Sequence, residues 1–202
     1  MWFKLVADGE KPDESTWVKA LWSDGYLYLT YHVNDRDIWA SMTNRDDHLW
    51  EAEVVEAFIN SSPDKHYYFE FEFNPLNALL DCFVISYREG RFTSLLSWNC
   101  QDIQHAVTVN GTLENREDRD KFWECEAAIP FAEICADEVP PKNGDVWRLN
   151  LYRFERNNDS LGFLEDETLE VSGWSPTYSA GFTEESNCFH KPARFGKLMF
   201  KE

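Results

Sequence analysis

The sequence lacks any apolar run of the roughly 20 residues that a membrane-spanning helix needs. Its first residues also lack the basic segment and long apolar core of a secretory signal. We therefore expect no membrane insertion. We favour a cytoplasmic protein over a secreted one, and the secreted alternative applies if a leader has been removed from the chain.

Cysteine is scarce, and its spacing excludes the usual cysteine-based sites. The five cysteines are odd in number and far apart, and no Cys-x-x-Cys pair occurs, so neither a zinc site nor a dithiol motif is supported. Cys125 alternates in phase with Trp123, Ala127 and Ile129, which predicts a thiol packed in the core. We expect the cysteines to be reduced and structural.

Positive charge is scarce as well. Lys and Arg number 19 against 37 Asp and Glu, which gives a formal net charge of −18. A field of this sign repels phosphate backbones and anionic lipids. We therefore expect no nucleic-acid partner, whereas neutral ligands, cationic ligands and divalent cations remain compatible with the charge.

Helical periodicity is almost absent, and period-two alternation takes its place. Its clearest example runs from Tyr67 to Asn74, with Tyr67, Phe69, Phe71 and Phe73 on the inward face. Further strands are predicted over 26–34, 79–87, 104–113, 122–129, 146–154 and 197–200, and one short helix over 130–137. The stretches 114–121 and 155–167 are predicted to be exposed loops. We predict an all-β fold, an antiparallel two-sheet β-sandwich of immunoglobulin-like or jelly-roll type with one short helix, forming a single domain over 1–202.

Two residues stand where packing does not explain them. Trp50 lies among charged residues at a predicted loop-to-strand junction. Glu56 shares a strand face with Val54 and Phe58, where a lone carboxylate is costly unless it is paired or contacts a ligand. Both residues are therefore candidates for a binding site.

Glu70, Glu72 and Asn74 point to the outward side of the strand predicted over 67–74. If this strand neighbours the one that carries Glu56, the shared face holds several carboxylates and an amide near Trp50. Such groups hydrogen-bond sugar hydroxyls while an aromatic ring stacks on the apolar face of the sugar. A solvated sheet face with a core Trp explains the same residues, and both interpretations stay open.

An ordered set of motifs resembles carbohydrate-binding module family 9. It begins with Trp50-Glu51-x-Glu53-x-Val55-Glu56-x-Phe58 and continues with the strand over 67–74 and Trp123-x-x-Glu126-Ala127-Ala128-Ile129-Pro130-Phe131. It closes with Trp147-Arg148-Leu149-Asn150, Trp174-Ser175-Pro176 and the segment His190 to Leu198. Together these motifs cover nearly all of the chain from Trp22 to Phe200.

The resemblance implies a non-catalytic module that holds a terminal sugar of an oligosaccharide or polysaccharide between two aromatic rings, in support of polysaccharide breakdown and in association with glycoside hydrolases. The first ring falls on Trp50 and the second on Phe189, where relatives carry Trp. Glu72 stands where a relative carries a basic residue. The residues expected to bind sugar are Trp50, Glu51, Glu56, Glu70, Glu72, Asn74, Asn187 and Phe189.

The resemblance also implies a structural calcium ion, although no cofactor is required for the binding function. The carboxylates of one loop are hard oxygen donors of the kind calcium takes. The expected ligands are Asp35, Asp37, Asp46 and Asp47.

Three other functions remain open. A small glycoside hydrolase could use Glu56, Glu70 and Glu72, because sugar hydrolysis requires a pair of carboxyls, although the Glu-x-Asp-x-x-Glu pattern of sandwich glucanases is absent. A haem- or metal-binding relative would use histidines, but the five histidines form no recognisable pattern with the three methionines. A protein-interaction sandwich would present the same aromatic patch to another protein.

Overall fold

Two antiparallel sheets make up the fold. The computed structural model of the chain describes residues 1–88, 91–113, 115–135, 139–157, 168–175 and 190–202. The smaller sheet has four strands, β2 (Thr16–Trp22), β3 (Tyr26–Asn34), β8 (Gln104–Asn110) and β9 (Phe122–Pro130), in the order β2-β3-β9-β8. The larger sheet contains β1 (Lys4–Leu5), β4 (Val54–Asn60), β5 (Tyr67–Phe73), β6 (Leu79–Arg88), β7 (Arg91–Leu95), β10 (Val146–Asn157), β11 (Thr168–Gly173) and β12 (Gly196–Met199).

The larger sheet is centred on β10 and β4. Its strand order is β1-β11-β10-β4-β5-β6-β7, and β12 pairs with the first residues of β10 while β11 pairs with the last. Within the described residues, the helical segments are α1 (Phe131–Ile134) and two 3-10 turns, at Leu49–Glu51 and Pro192–Arg194. The predicted all-β sandwich with one short helix is confirmed.

The helix is shorter than the stretch predicted over 130–137. Pro130 is extended and precedes the first helical residue, and Cys135 is already extended at φ −86° and ψ 113°, so only one turn forms. Residues 136 and 137 of that prediction lie outside the described residues.

The inward-facing side chains of the alternating strands fill the space between the sheets. Phe69, Phe71 and Phe73 of β5 pack in one buried cluster with Leu29 and Val33 of β3. Each such side chain contributes about 1.5–3 kcal/mol on full burial. The predicted inward face of residues 67–74 is therefore the face that packs against the smaller sheet.

The opposite face of the larger sheet is buried too, which the alternation did not predict. All seven residues of β4 are buried, and so are all residues of β5 except Tyr67. A second cluster forms on this side, and we call the side the outer face; its apolar members include Val54, Phe58, Tyr68, Leu80, Cys82, Val84, Tyr152 and Phe195. Because Glu56, Glu70 and Glu72 lie on the outer face and are buried, a solvated sheet face no longer explains them.

The two stretches predicted to be exposed loops contain buried acids. Strand β10 continues to Asn157 because it pairs with β11, and Glu155 is buried. Asp120 is also buried, since its carboxylate accepts hydrogen bonds from the Ile38 and Thr112 N–H groups at 2.8 Å each. Gly111 makes room for this carboxylate, because a Cβ at Gly111 would lie 2.1 Å from Asp120 Oδ1. Of the second stretch, residues 158–167 lie outside the described part of the chain.

The cysteines that the structure describes are unpaired and buried. They are Cys82, Cys100, Cys125 and Cys135. Burial raises the pKa of the Cys135 thiol to about 11, so the thiol stays protonated at neutral pH. Within the described residues, no helix has the length and apolar character to cross a membrane.

Candidate functional site

Three carboxyl groups meet on the outer face because β4 and β5 are paired neighbours. The register sets Glu56 directly opposite Glu72 and Phe58 directly opposite Glu70. Directly opposed side chains on one face have Cβ atoms about 4.5–5.5 Å apart. Glu70 and Glu72 are two residues apart on one strand, so they share the face as well. We call Glu56, Glu70 and Glu72 the carboxyl triad.

Burial raises the pKa of every member of the triad. It raises the pKa of Glu70 from 4.5 to about 7. The pKa values of Glu56 and Glu72 also rise well above 4.5, first through burial and then through the neighbouring triad charges. Interaction between the two neighbouring carboxyls lowers the pKa of Glu70 and raises that of Glu72. The Oε2 atoms of Glu70 and Glu72 are buried and have no hydrogen-bond partner.

Trp50 lies at one end of the triad. It is the middle residue of the 3-10 turn immediately before β4, and its side chain is partly exposed. Its backbone N–H acts on Glu72 by lowering the pKa of that carboxyl, and its carbonyl accepts a hydrogen bond from Arg156 Nη2 at 2.9 Å. The His48 ring stacks on the indole with 4.4 Å between centroids and 19° between planes. The predicted loop-to-strand position of Trp50 is thus its observed one.

His190 and Tyr68 lie at the other end of the triad. The Tyr68 hydroxyl hydrogen-bonds His190 Nδ1, which lies 3.9 Å from Glu70 Oε2. The ring of His190 stacks on Phe92 at 3.5 Å and on Phe58 at 5.6 Å. Burial lowers the pKa of His190 to about 3, so its imidazole is neutral and brings no positive charge to the triad.

Sequence reasoning missed both of these residues. Tyr68 alternates in phase with Glu70 and Glu72, so it shares their face of β5, but no feature of the sequence marks it as a site residue. His190 is separated from Tyr68 by 122 positions. Nothing in the local sequence around His190 indicates that it reaches β5.

The other residues expected to bind sugar have different placements. Glu51 is exposed beside Trp50, 3.4 Å from His48 Nδ1. Asn74 is buried at the end of β5, where its side chain accepts from the Ala78 N–H at 2.9 Å and donates to the Met42 carbonyl at 2.8 Å. The Oδ1 atom of Asn74 therefore holds the loop between β5 and β6, and its Nδ2 atom ties the end of β5 to the segment between β3 and β4. Asn187 and Phe189 lie outside the described residues.

The structure does not bring the four expected calcium ligands together. Asp37 forms an ion pair with Arg116. Asp47 accepts hydrogen bonds from the backbone N–H and side-chain amide of Asn44 at 3.0 and 3.2 Å. Asp46 has a left-handed backbone, with φ 65°, and burial raises the pKa of its carboxyl. Asp35 accepts a hydrogen bond from the Asp37 N–H at 2.9 Å, but its carboxylate belongs to a different acidic cluster.

That cluster contains the one set of residues within the described ranges whose geometry suits a metal ion. Oxygen atoms of Glu14, Asp35 and Glu155 lie within 4.8 Å of one another, and all three side chains are buried. Asp35 Oδ2 and both carboxylate oxygens of Glu155 accept no hydrogen bond. Carboxylate oxygens are the donors that calcium prefers, so these residues fit a calcium ion and would hold it.

Arg153 already supplies one positive charge to the same cluster. Its Nη2 lies 3.2 Å from Asp35 Oδ2 and 3.8 Å from Glu14 Oε2, and it also pairs with Glu155. Glu53 adds a fourth carboxyl, and burial followed by the Asp35 charge raises its pKa well above 4.5. The carboxyl groups outnumber the buried cation, which leaves negative charge for a divalent ion to neutralise.

Comparisons with known proteins agree with this architecture. Residues 16–200 match the family described as carbohydrate-binding family 9. An extracellular protein of Arthroderma benhamiae is 26% identical over 203 residues, covering 98% of this chain and 83% of the relative.

Solved structures with the same fold are more distant in sequence. A candidate carbohydrate-binding protein of Bacteroides uniformis superposes with a TM-score of 0.72 at 19% identity, over 98% of this chain and 86% of the other. A family 9 module of Caldicellulosiruptor kristjanssonii in complex with cellotriose superposes with a TM-score of 0.63 at 14% identity, over 100% of this chain and 82% of the other. A family 9 module of the same organism in complex with glucose superposes with a TM-score of 0.61 at 14% identity, over 98% of this chain and 83% of the other. Since the family match spans most of the sequence, this chain belongs to carbohydrate-binding family 9.

Proposed function

We propose that this protein binds the terminal unit of an oligosaccharide or polysaccharide without altering it chemically. The observation that carries the proposal is the carboxyl triad beside Trp50 on the outer face of the larger sheet. A partly exposed indole offers a stacking platform. Buried carboxyl groups offer hydrogen-bonding partners that sugar hydroxyls can satisfy.

Family membership supports this assignment, as do the similar modules that are described in complex with glucose and with cellotriose. In the finer proposal, the indole of Trp50 and the ring of Phe189 hold the sugar from two sides. His190, which follows Phe189 in the sequence, lies on the outer face beside Glu70, and this supports the pairing. We further propose that the bound chain end brings the protein to the substrates of glycoside hydrolases.

A catalytic role for the triad is the less favoured proposal. Glycoside hydrolysis requires carboxyls about 5–5.5 Å apart for retention, or about 6.5–9.5 Å apart for inversion. The sequence lacks the Glu-x-Asp-x-x-Glu pattern of sandwich glucanases. We expect no release of reducing sugar from common polysaccharides, and activity of the purified protein that a Glu72→Gln substitution removes would contradict this.

A binding screen with two matched tryptophan variants tests the proposal. Trp50 and Trp17 are both partly exposed, but Trp17 lies on β2 of the smaller sheet, where it stacks on His32 at 5.0 Å. Glucose, cellobiose and cellotriose are titrated into the parent protein by calorimetry, after an affinity-gel screen of polysaccharides. The best ligand is then titrated into Trp50→Ala and Trp17→Ala.

Loss of one stacking platform should weaken binding at least tenfold, about 1.4 kcal/mol. We therefore expect this loss in Trp50→Ala and parent affinity in Trp17→Ala. Equal affinity in a folded Trp50→Ala protein would contradict the proposed site, and no binding to any saccharide would contradict the proposed function. Phe189→Ala, measured in the same way, tests the second ring.

A further inference from the structure

Among the described side chains, the carboxyl triad has no cationic partner. No Lys or Arg of that set forms an ion pair with Glu56, Glu70 or Glu72, and their one ion-pair partner is the neutral His190.

A buried carboxyl triad that is ionised without a neighbouring cation destabilises the folded protein. The exposed fractions of Glu56, Glu70 and Glu72 are 3%, 7% and 1%. A buried carboxylate without a cation is strongly disfavoured. Like charges directly opposite each other on a sheet add repulsion, and Glu56 and Glu72 are such a pair. The two unpartnered Oε2 atoms of Glu70 and Glu72 are thus places where a ligand can contribute a donor and a charge.

The triad does not have the geometry of a metal site. In the described part of the chain, one set of at least three acidic, His or Cys residues has its ligand atoms all within 4.8 Å of one another. That set is Glu14, Asp35 and Glu155. An ammonium group instead carries one positive charge and three N–H donors, two of which can bind the unpartnered Oε2 atoms of Glu70 and Glu72.

We propose that the carboxyl triad selects saccharides whose terminal unit is an amino sugar with a free amine, a 2-amino-2-deoxyhexose. This inference rests on the proposed sugar site. The indole of Trp50 stacks on the sugar ring, and the ammonium group at C2 lies among Glu56, Glu70 and Glu72. N-acetylation removes the positive charge, and a hydroxyl at C2 never carries one. Both neutral sugars therefore lose this interaction.

Binding of the ammonium group expels protons from the triad, so affinity rises with pH while the sugar amine stays charged. Burial raises the pKa of Tyr68 and lowers that of His190, so both stay neutral from pH 5 to 7. The other titratable or charged groups facing or flanking the triad are Cys82, Tyr152 and Arg156. The buried Cys82 thiol, with its raised pKa, also stays neutral over this range.

Three sugars that differ only at C2 test the inference: glucosamine, glucose and N-acetylglucosamine. Each is titrated calorimetrically into the full chain at pH 5, 6 and 7. We expect glucosamine to bind at least tenfold more tightly than either neutral sugar at pH 7, with a preference that shrinks towards pH 5. In Glu72→Gln and Glu56→Gln, each checked for folding by its melting temperature, the preference should fall at least tenfold. Glu126→Gln, at an exposed acid on β9 of the smaller sheet, should keep it.

The outcomes separate this inference from the proposed function. If glucose or N-acetylglucosamine binds as tightly as glucosamine, the amino-sugar inference is wrong and the sugar site stands. If glucosamine is preferred equally by the parent and by both triad variants, another group recognises the amine. If none of the three sugars, cellobiose or cellotriose binds, the proposed function itself is wrong.

Discussion

At the scale of single residues, burial decides the protonation of the triad. The pKa of Glu70 in the folded protein is about 7, against an ordinary value of 4.5. A raised pKa means that folding favours the protonated form. This contribution to stability is complete below about pH 4.5 and is lost as the pH rises through about 7.

Replacement of Glu70 by Gln should therefore stabilise the protein increasingly with pH. Since one pKa unit corresponds to about 1.36 kcal/mol, we expect the free energy of unfolding of Glu70→Gln, relative to the parent, to rise by up to about 3 kcal/mol between pH 4.5 and 8. Urea denaturation at several pH values measures it. Glu51→Gln serves as the exposed control, and its difference from the parent in unfolding free energy should not change with pH. A difference for Glu70→Gln that does not change with pH would contradict the raised pKa.

Some residues of the candidate site could be recognised from the sequence, and others could not. Trp50 and Glu56 stood out because an aromatic among charges and an acid on an apolar strand face conflict with their surroundings, and both are in the site. Tyr68 and His190 have no such local conflict. Their role depends on a contact across 122 positions, which periodicity does not report.

At the scale of secondary-structure elements, Arg153 joins the two sheets. It belongs to β10 of the larger sheet, yet its Nη1 donates to the carbonyl of Asn34, at the end of β3, at 3.0 Å. Its Nη2 pairs with the buried Asp35 and Glu155. The guanidinium thus holds acids from separate strands and loops in one place between the sheets.

Replacement of Arg153 should destabilise the folded protein strongly, because it leaves buried carboxylates without their cation. We expect Arg153→Met to lose about 3–5 kcal/mol of unfolding free energy. Arg36→Met is the matched control, since Arg36 also pairs with Glu14 but its side chain is 55% exposed, and such pairs contribute at most about 1 kcal/mol. Chemical denaturation compares the two variants. Similar losses would contradict the part assigned to Arg153.

Strands were predictable where one face was apolar and the other polar. The predicted strand over 26–34 coincides with β3, and the one over 67–74 agrees with β5 to one residue. Strands β1, β2, β7 and β11 were not predicted. In β7, Arg91–Leu95, four of the five residues are exposed and the alternation is weak. The burial of the outer face was missed because it depends on what covers the sheet rather than on the strands themselves.

At the scale of the whole molecule, the acidic cluster and the carboxyl triad lie on opposite sides of the larger sheet. Glu155 alternates with Phe154, which packs against the outer-face cluster, and its neighbour Arg153 contacts β3 on the inner side. A calcium ion at Glu14, Asp35 and Glu155 would therefore act on stability rather than on sugar recognition.

We expect calcium to raise the melting temperature and to leave saccharide affinity unchanged. Binding to the folded state alone stabilises by about 2.7 kcal/mol at a calcium concentration one hundred times the Kd. Thermal melting in calcium and in chelator measures the effect, and Glu155→Gln should reduce it. A melting temperature that chelation leaves unchanged would remove the calcium proposal, as would a full effect in Glu155→Gln.

We expect saccharide to bind at the outer face of the larger sheet. A crystal structure of the protein with saturating cellotriose or glucosamine would locate the bound sugar. We expect a sugar ring stacked on the indole of Trp50, with polar atoms within about 3 Å of the carboxyl groups of Glu56, Glu70 and Glu72. A sugar bound elsewhere, for example in the groove formed by Trp2, Lys4 and Lys11, with Trp50 uncontacted, would contradict it.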